Sequence, residues 1–87
     1  MISGYFTDGA VPILDSSYGI YATADYVLYT KVSVNDVDGS YQIPDLPYGD
    51  YEVGWFYSGT PTEYISCATV TLDDLHTAVN QEIQRIM

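Results

Sequence analysis

From Tyr18 to Val34 apolar and polar positions alternate over an unusual length. Ile20, Ala22, Ala24, Tyr26, Leu28, Val32 and Val34 fall on one face, and Tyr21, Thr23, Asp25, Val27, Tyr29, Lys31 and Ser33 on the other. Ordinary strands run to about five or six residues, so this stretch predicts two strands or one bent one, with a break near Ala24-Asp25 or Thr30-Lys31. Shorter extended segments surround it. One runs from Ile2 to Thr7, followed by turn residues from Asp8 and a short piece reaching Ile13. Another runs from Ser40 to Ile43, after a turn at Asp36-Val37-Asp38-Gly39 in which Gly39 supplies positive φ.

The prolines at 44 and 47 each remove a ladder donor, so Pro44 to Asp50 reads as a corner between sheets. A strand follows from Tyr51 to Tyr57, with Tyr51, Val53, Trp55 and Tyr57 on one face, and Ser58-Gly59-Thr60-Pro61 ends it. Glu63 to Leu72 is a further strand. In the last segment Leu75, Val79, Ile83 and Ile86 lie near helical spacing behind Asp73 and Asp74, whereas Thr77 to Ile86 also fits an edge strand. The strand is preferred.

Composition agrees with this pattern. Tyr, Val, Ile and Thr are plentiful and 87 residues support one core, so the expectation is a single all-β domain spanning residues 1–87. Twelve acidic residues against Lys31 and Arg85 leave a formal charge of −10. Such a field repels phosphate backbones and anionic membranes, which argues against nucleic-acid and membrane partners. No apolar run approaches the roughly 20 residues of a spanning helix, and no basic, apolar leader is visible before the first strand. The lone Cys67 forms no internal disulfide and is expected to pack as a small apolar residue.

The run Asp36-Val37-Asp38-Gly39-Ser40-Tyr41-Gln42-Ile43-Pro44-Asp45-Leu46-Pro47-Tyr48-Gly49-Asp50-Tyr51 resembles the Asp-x-Asp-Gly-x-aromatic-x-aliphatic-x-x-Leu-Pro-x-Gly-x-Tyr signature of prealbumin-like domains. These include carboxypeptidase regulatory-like modules and the B-type repeats of collagen adhesins. Ile2 to Asp8, with Gly9 and Pro12-Ile13, is similar to the family's first strand and turn. The resemblance implies a small Ig-like antiparallel β-sandwich of about seven strands, used by relatives as a spacer, stalk, accessory or assembly module. The local physics points the same way: Tyr41 and Ile43 face inward, Leu46 plugs the corner, and Tyr51 places its hydroxyl on nearby backbone.

Catalytic chemistry has little to work with. His76 is the only histidine, beside Asp73 and Asp74 in an expected turn, with no nucleophile motif. Transthyretin-related hydrolases draw on several histidines and basic residues that this chain lacks. Asp36 and Asp38 are weak Ca²⁺ candidates that would need Asp45 and Asp50 to join them, and hairpin capping is the preferred role. No other cofactor is expected. The adhesin-type cross-link would need Lys31 with Asn80 or Asn35, promoted by Glu52 or Glu63, and Lys31 stands outside the first strand where that family carries its lysine. Ten tyrosines exceed what one small core holds, and Tyr5, Tyr21, Tyr29, Tyr48, Tyr57 and Tyr64 are expected partly outside. Of these, Tyr21, Tyr29, Tyr48, Tyr57 and Tyr64 are the interface candidates.

The expected function is a non-enzymatic structural or interaction module. The leading form is a small accessory or decoration subunit on a tailed-phage virion surface or another extracellular assembly. It would bind a protein partner such as a coat protein, or further copies of itself. The alternative is a carbohydrate-binding or adhesive surface module.

Overall fold

The structure is a computed structural model that describes residues 1–24, 27–58 and 64–85, with residues 27–29 described through their backbone. The elements are β1 (Ile2–Asp8), β2 (Val11–Pro12), β3 (Tyr18–Ala24), β4 (Val27–Ser33), β5 (Ser40–Ile43), β6 (Gly49–Tyr57), β7 (Tyr64–Leu72), β8 (Val79–Asn80) and β9 (Ile83–Gln84). They form two packed sheets, a small all-β sandwich. One sheet has the order β4-β3-β6-β7. In the other, β1 is central, antiparallel to β2 and β5 and parallel to β8 and β9.

The long alternating stretch resolves into two antiparallel paired strands, β3 ending at Ala24 and β4 beginning at Val27, so the two-strand reading holds. A register shift between Ala22 and Thr23 marks a bulge. Asp25 and Tyr26, the side chains of Val27, Leu28 and Tyr29, and Gly59 to Glu63 lie outside the described residues, as does Ile86. The inner faces meet in one apolar cluster in which Ile2, Phe6, Ile20, Ile43, Val53 and Ile83 are sealed from solvent. Tyr51, Val53 and Trp55 project into it from β6, while Tyr57 is half-buried and packs on Tyr18 with ring centroids 4.8 Å apart.

The signature segment builds the join between the sheets. Asn35 Oδ1 accepts the Val37 amide, and Asp38 Oδ1 accepts both the amide and the hydroxyl of Ser40. Gly39 closes the turn at φ 76°, and its carbonyl receives the Phe6 amide of β1. Leu46 is buried at the corner, and the Tyr51 hydroxyl donates to the Pro47 carbonyl at 2.6 Å. The corner and its tyrosine therefore take the form anticipated from the sequence.

At the C-terminus the strand alternative is realised, in two short pieces. Asp73 Oδ1 accepts the amides of Leu75 and His76, which folds that segment into a tight turn. Leu75 then points into solvent, while Ile83 enters the core. A helix from 75 to 86 would have placed both on one face. The chain instead runs beside β1 through Val79 N–H to Met1, Gln81 N–H to Ser3 and Arg85 N–H to Thr7.

Tyr41 locks this segment. Its cross-strand partner on β1 is Gly4, so the ring crosses β1 unobstructed and the hydroxyl donates to the Gln81 carbonyl on the far side. Burial, and secondarily the Glu82 carboxylate, push the phenol well above its ordinary range. A phenol with a raised folded pKa contributes stability that is intact below about pH 10 and is lost as pH rises through the folded value. Alkaline unfolding followed by circular dichroism is therefore expected to begin above about pH 10, and Tyr41→Phe is expected to flatten the tyrosine-linked part of that loss. At neutral pH Tyr41→Phe is expected to cost about 1–2 kcal/mol and to speed amide exchange at Gln81 to Arg85.

Candidate interaction surface

The outer face of the four-stranded sheet, turned away from the core, carries a second packed layer. Gly19-Ile20-Tyr21 on β3 runs antiparallel to Gly54-Trp55-Phe56 on β6, so Gly19 pairs with Phe56 and Tyr21 with Gly54. Each glycine lets the opposing ring lie down on bare backbone. A Cβ at Gly19 would stand 2.3 Å from the Phe56 ring, and one at Gly54 would stand 2.7 Å from the Tyr21 hydroxyl and 2.0 Å from the Ile65 carbonyl oxygen. Tyr64 of β7 completes the layer, meeting Tyr21 edge-on at 5.1 Å and Phe56 at 5.4 Å. The Lys31 ammonium lies 5.5 Å from the centre of the Phe56 ring. Tyr21 and Phe56 retain 4% and 8% of their surface, whereas Tyr64 retains 39% and forms the open edge of the layer. Burial, reinforced by Glu52, raises the Tyr21 phenol.

A second feature lies at one end of the sandwich. Arg85 donates to Asp8 Oδ2 at 2.6 Å and to the Tyr18 hydroxyl at 2.7 Å. Together with Val11, Pro12, Ile13 and Asp15 these residues line an open cleft of about 630 Å³. Tyr18 also packs against Phe6, Trp55 and Tyr57, so the floor of the cleft is part of an aromatic cluster. With Lys31 on Phe56 and Arg85 on Asp8, both the lysine and the arginine side chain are engaged.

The expected interface tyrosines do not share one surface. Tyr21 was expected partly outside and is instead buried, because Gly54 leaves room for its ring and Tyr64 covers it. Tyr64 and Tyr48 are exposed, Tyr48 standing at the corner and Tyr64 beside Tyr21. Tyr57 is half-buried on the core side of β6. The side chain of Tyr29 lies outside the described residues. Phe56, absent from that set, is a central member of the layer, and the matched Gly-x-aromatic triplets at 19–21 and 54–56 were the available signal.

Asp36 is exposed, and the Asp38 carboxylate, held below its ordinary range first by the Ser40 hydroxyl and then by the Ser40 amide, serves the turn. Among the described residues no three His, Cys, Asp or Glu side chains gather in a metal-binding group. His76 is an exposed turn residue with Nδ1 3.0 Å from Asp73 Oδ1. Cys67 is exposed, contrary to the packed role expected for it. It is the extra residue of a β7 bulge, since Ala68 pairs with Val53 and Ser66 with Gly54, and its sulfur therefore turns toward the Gln84 carbonyl at 3.9 Å. Lys31 lies on β4 over Phe56 while Asn80 belongs to the opposite sheet, an arrangement that gives no support to a bond between them.

No family model matches the sequence, and no curated protein matches it.

Two outcomes follow. Gly54→Ala and Gly19→Ala are each expected to lose about 1–3 kcal/mol in urea denaturation, because the new methyl meets backbone that cannot yield, the Ile65 carbonyl at Gly54 and the Val32 carbonyl oxygen, with the Phe56 ring, at Gly19. Millimolar Ca²⁺ is expected to leave the thermal midpoint unchanged in differential scanning calorimetry. A rise with Ca²⁺ that disappears in Asp38→Asn would restore the metal reading.

Proposed function

We propose that this chain is a non-enzymatic structural or interaction module, a small accessory or decoration subunit of a larger assembly such as a tailed-phage virion. The observation that carries this reading is the outer aromatic layer. Tyr64 presents an aromatic edge already held by Tyr21 and Phe56, so a partner gains apolar and polar contact with little side-chain entropy left to lose. The acidic surface around it suits a partner of the opposite sign and disfavours packaged DNA. The prealbumin-like kinship suggested by the Asp36 to Tyr51 run fits the same role and is proposed with it.

Weighing the native particle tests the reading. The expected result is the chain in several copies bound to a larger protein, with Tyr64→Ser folding at a cost of no more than about 1.5 kcal/mol yet failing to join. A second reading, a carbohydrate-binding surface module, draws on the Arg85 cleft, where Tyr18 lies beside Asp8 and Asp15. A free monomer that binds glycans on an array, and loses them in Tyr18→Ala, would favour that reading and overturn the first.

A further inference from the structure

β7 closes the four-stranded sheet, and its outward edge has no backbone partner among the described residues. Edge strands are ordinarily protected by charge, by proline or by brevity. β7 has none of these, since its nine residues, YISCATVTL, include no charged residue and no proline. Its one protective device is the bulge at Cys67, which interrupts the ladder at a single point and leaves the stretch from Ala68 to Leu72 regular.

That bulge also arranges charge. Ser66 and Thr71 are separated by an odd number of positions and would face opposite sides of a regular strand. The extra residue lets them pair with Gly54 and Asp50, an even number apart on β6, so both hydroxyls reach the outer face. There Ser66 Oγ donates to Glu52 Oε1 at 2.6 Å and Thr71 Oγ1 to Asp50 Oδ1 at 2.7 Å. Two carboxylates of β6 are thereby held over β7 toward its free edge. Beyond the edge, Glu82 and Gln84 form the far wall of an open groove of about 330 Å³ whose near wall is Ile65, Ser66 and Cys67. An uncharged backbone ladder is thus bracketed by three carboxylates.

A second copy of this chain would bring the same carboxylates, and a charge of −10, to the same edge. A basic segment would meet opposite charge on both sides. We infer that the β7 edge takes up an extended segment of a partner protein as a fifth strand. Its Lys or Arg side chains would stand at positions i and i+4 on the outer face, about 13 Å apart, over the Ser66–Glu52 and Thr71–Asp50 pairs. The inference rests on the reading of the chain as an interaction module and specifies the chemistry of its partner.

The test is titration of the isotopically labelled 87-residue chain with a capped peptide of threonine and valine bearing two lysines at i and i+4. Amide shifts are expected along Ile65 to Thr71. Affinity is expected to fall about three- to fivefold in Asp50→Asn and again in Glu52→Gln, both fold-preserving changes at exposed positions. N-methylation of alternate peptide amides is expected to abolish binding, and a glutamate-for-lysine peptide is expected not to bind. Equal binding of the N-methylated peptide, shifts confined to other surfaces, or β7-mediated dimers without peptide would each overturn the inference. If Thr69→Lys leaves the native particle intact while Tyr64→Ser dissolves it, the edge inference fails and the module reading stands. If neither variant affects any particle, the module reading fails as well.

Discussion

A ring lying across a neighbouring strand needs that strand to be bare, and this sandwich meets the condition on both sheets. Gly4 lets Tyr41 cross β1 inside the core, and Gly19 and Gly54 let Phe56 and Tyr21 lie on the outer face of the β3–β6 pair. Glycine within a strand sacrifices backbone entropy and packs no side chain of its own. An aromatic ring covering it recovers apolar contact and excludes water from the ladder, which is how aromatic rescue offsets that loss. The arrangement also pins register, because a two-residue slip in one direction would set Tyr21 against Phe56 and in the other Gly19 against Gly54, while a one-residue slip would turn each strand's inner residues outward.

The outer aromatic layer depends on this pairing. Tyr21 and Phe56 sit low enough for Tyr64 to lean on them from β7, so a face that would otherwise be solvated carries its own small cluster. The core-side pair does different work: Tyr41 reaches past Gly4 to the Gln81 carbonyl and holds the C-terminal segment in its parallel run beside β1. One device therefore both closes the fold and shapes the surface offered to partners. Glu52 and Asp50 occupy the remaining outer positions of β6, and the β7 hydroxyls direct them toward the sheet's edge. Aromatic contact and negative charge come to adjoin on one side of the molecule.

Much of the fold was legible in the residues because its signals are local. Alternation marked β3, β4 and β6, the two prolines marked the corner, and Asp38-Gly39 marked the turn that starts β5. Tyr51 was readable at the corner because its hydroxyl bond spans only four residues, to Pro47. The candidate site was less legible. Tyr21 looked exposed from alternation, since the pattern reports which face a residue occupies and is silent on what lies across from it. Cys67 looked buried from its type, yet a bulge in β7 set it at the open groove facing Gln84. The helix alternative at the C-terminus rested on a spacing that Asp73 interrupts by capping its own turn.

What the sequence determined by itself is the run of strands up to Leu72, the corner and the strongly acidic balance, since each follows from neighbouring residues and their intrinsic geometry. Only the tertiary structure decided which strands pair. Pairing sets Gly19 against Phe56, Gly54 against Tyr21 and Gly4 against Tyr41, and it leaves β7 at an edge. The reason is physical: alternation assigns faces at a period of two, whereas cross-strand partners are chosen by sheet order and by a single extra residue in β7, neither of which any local stretch encodes.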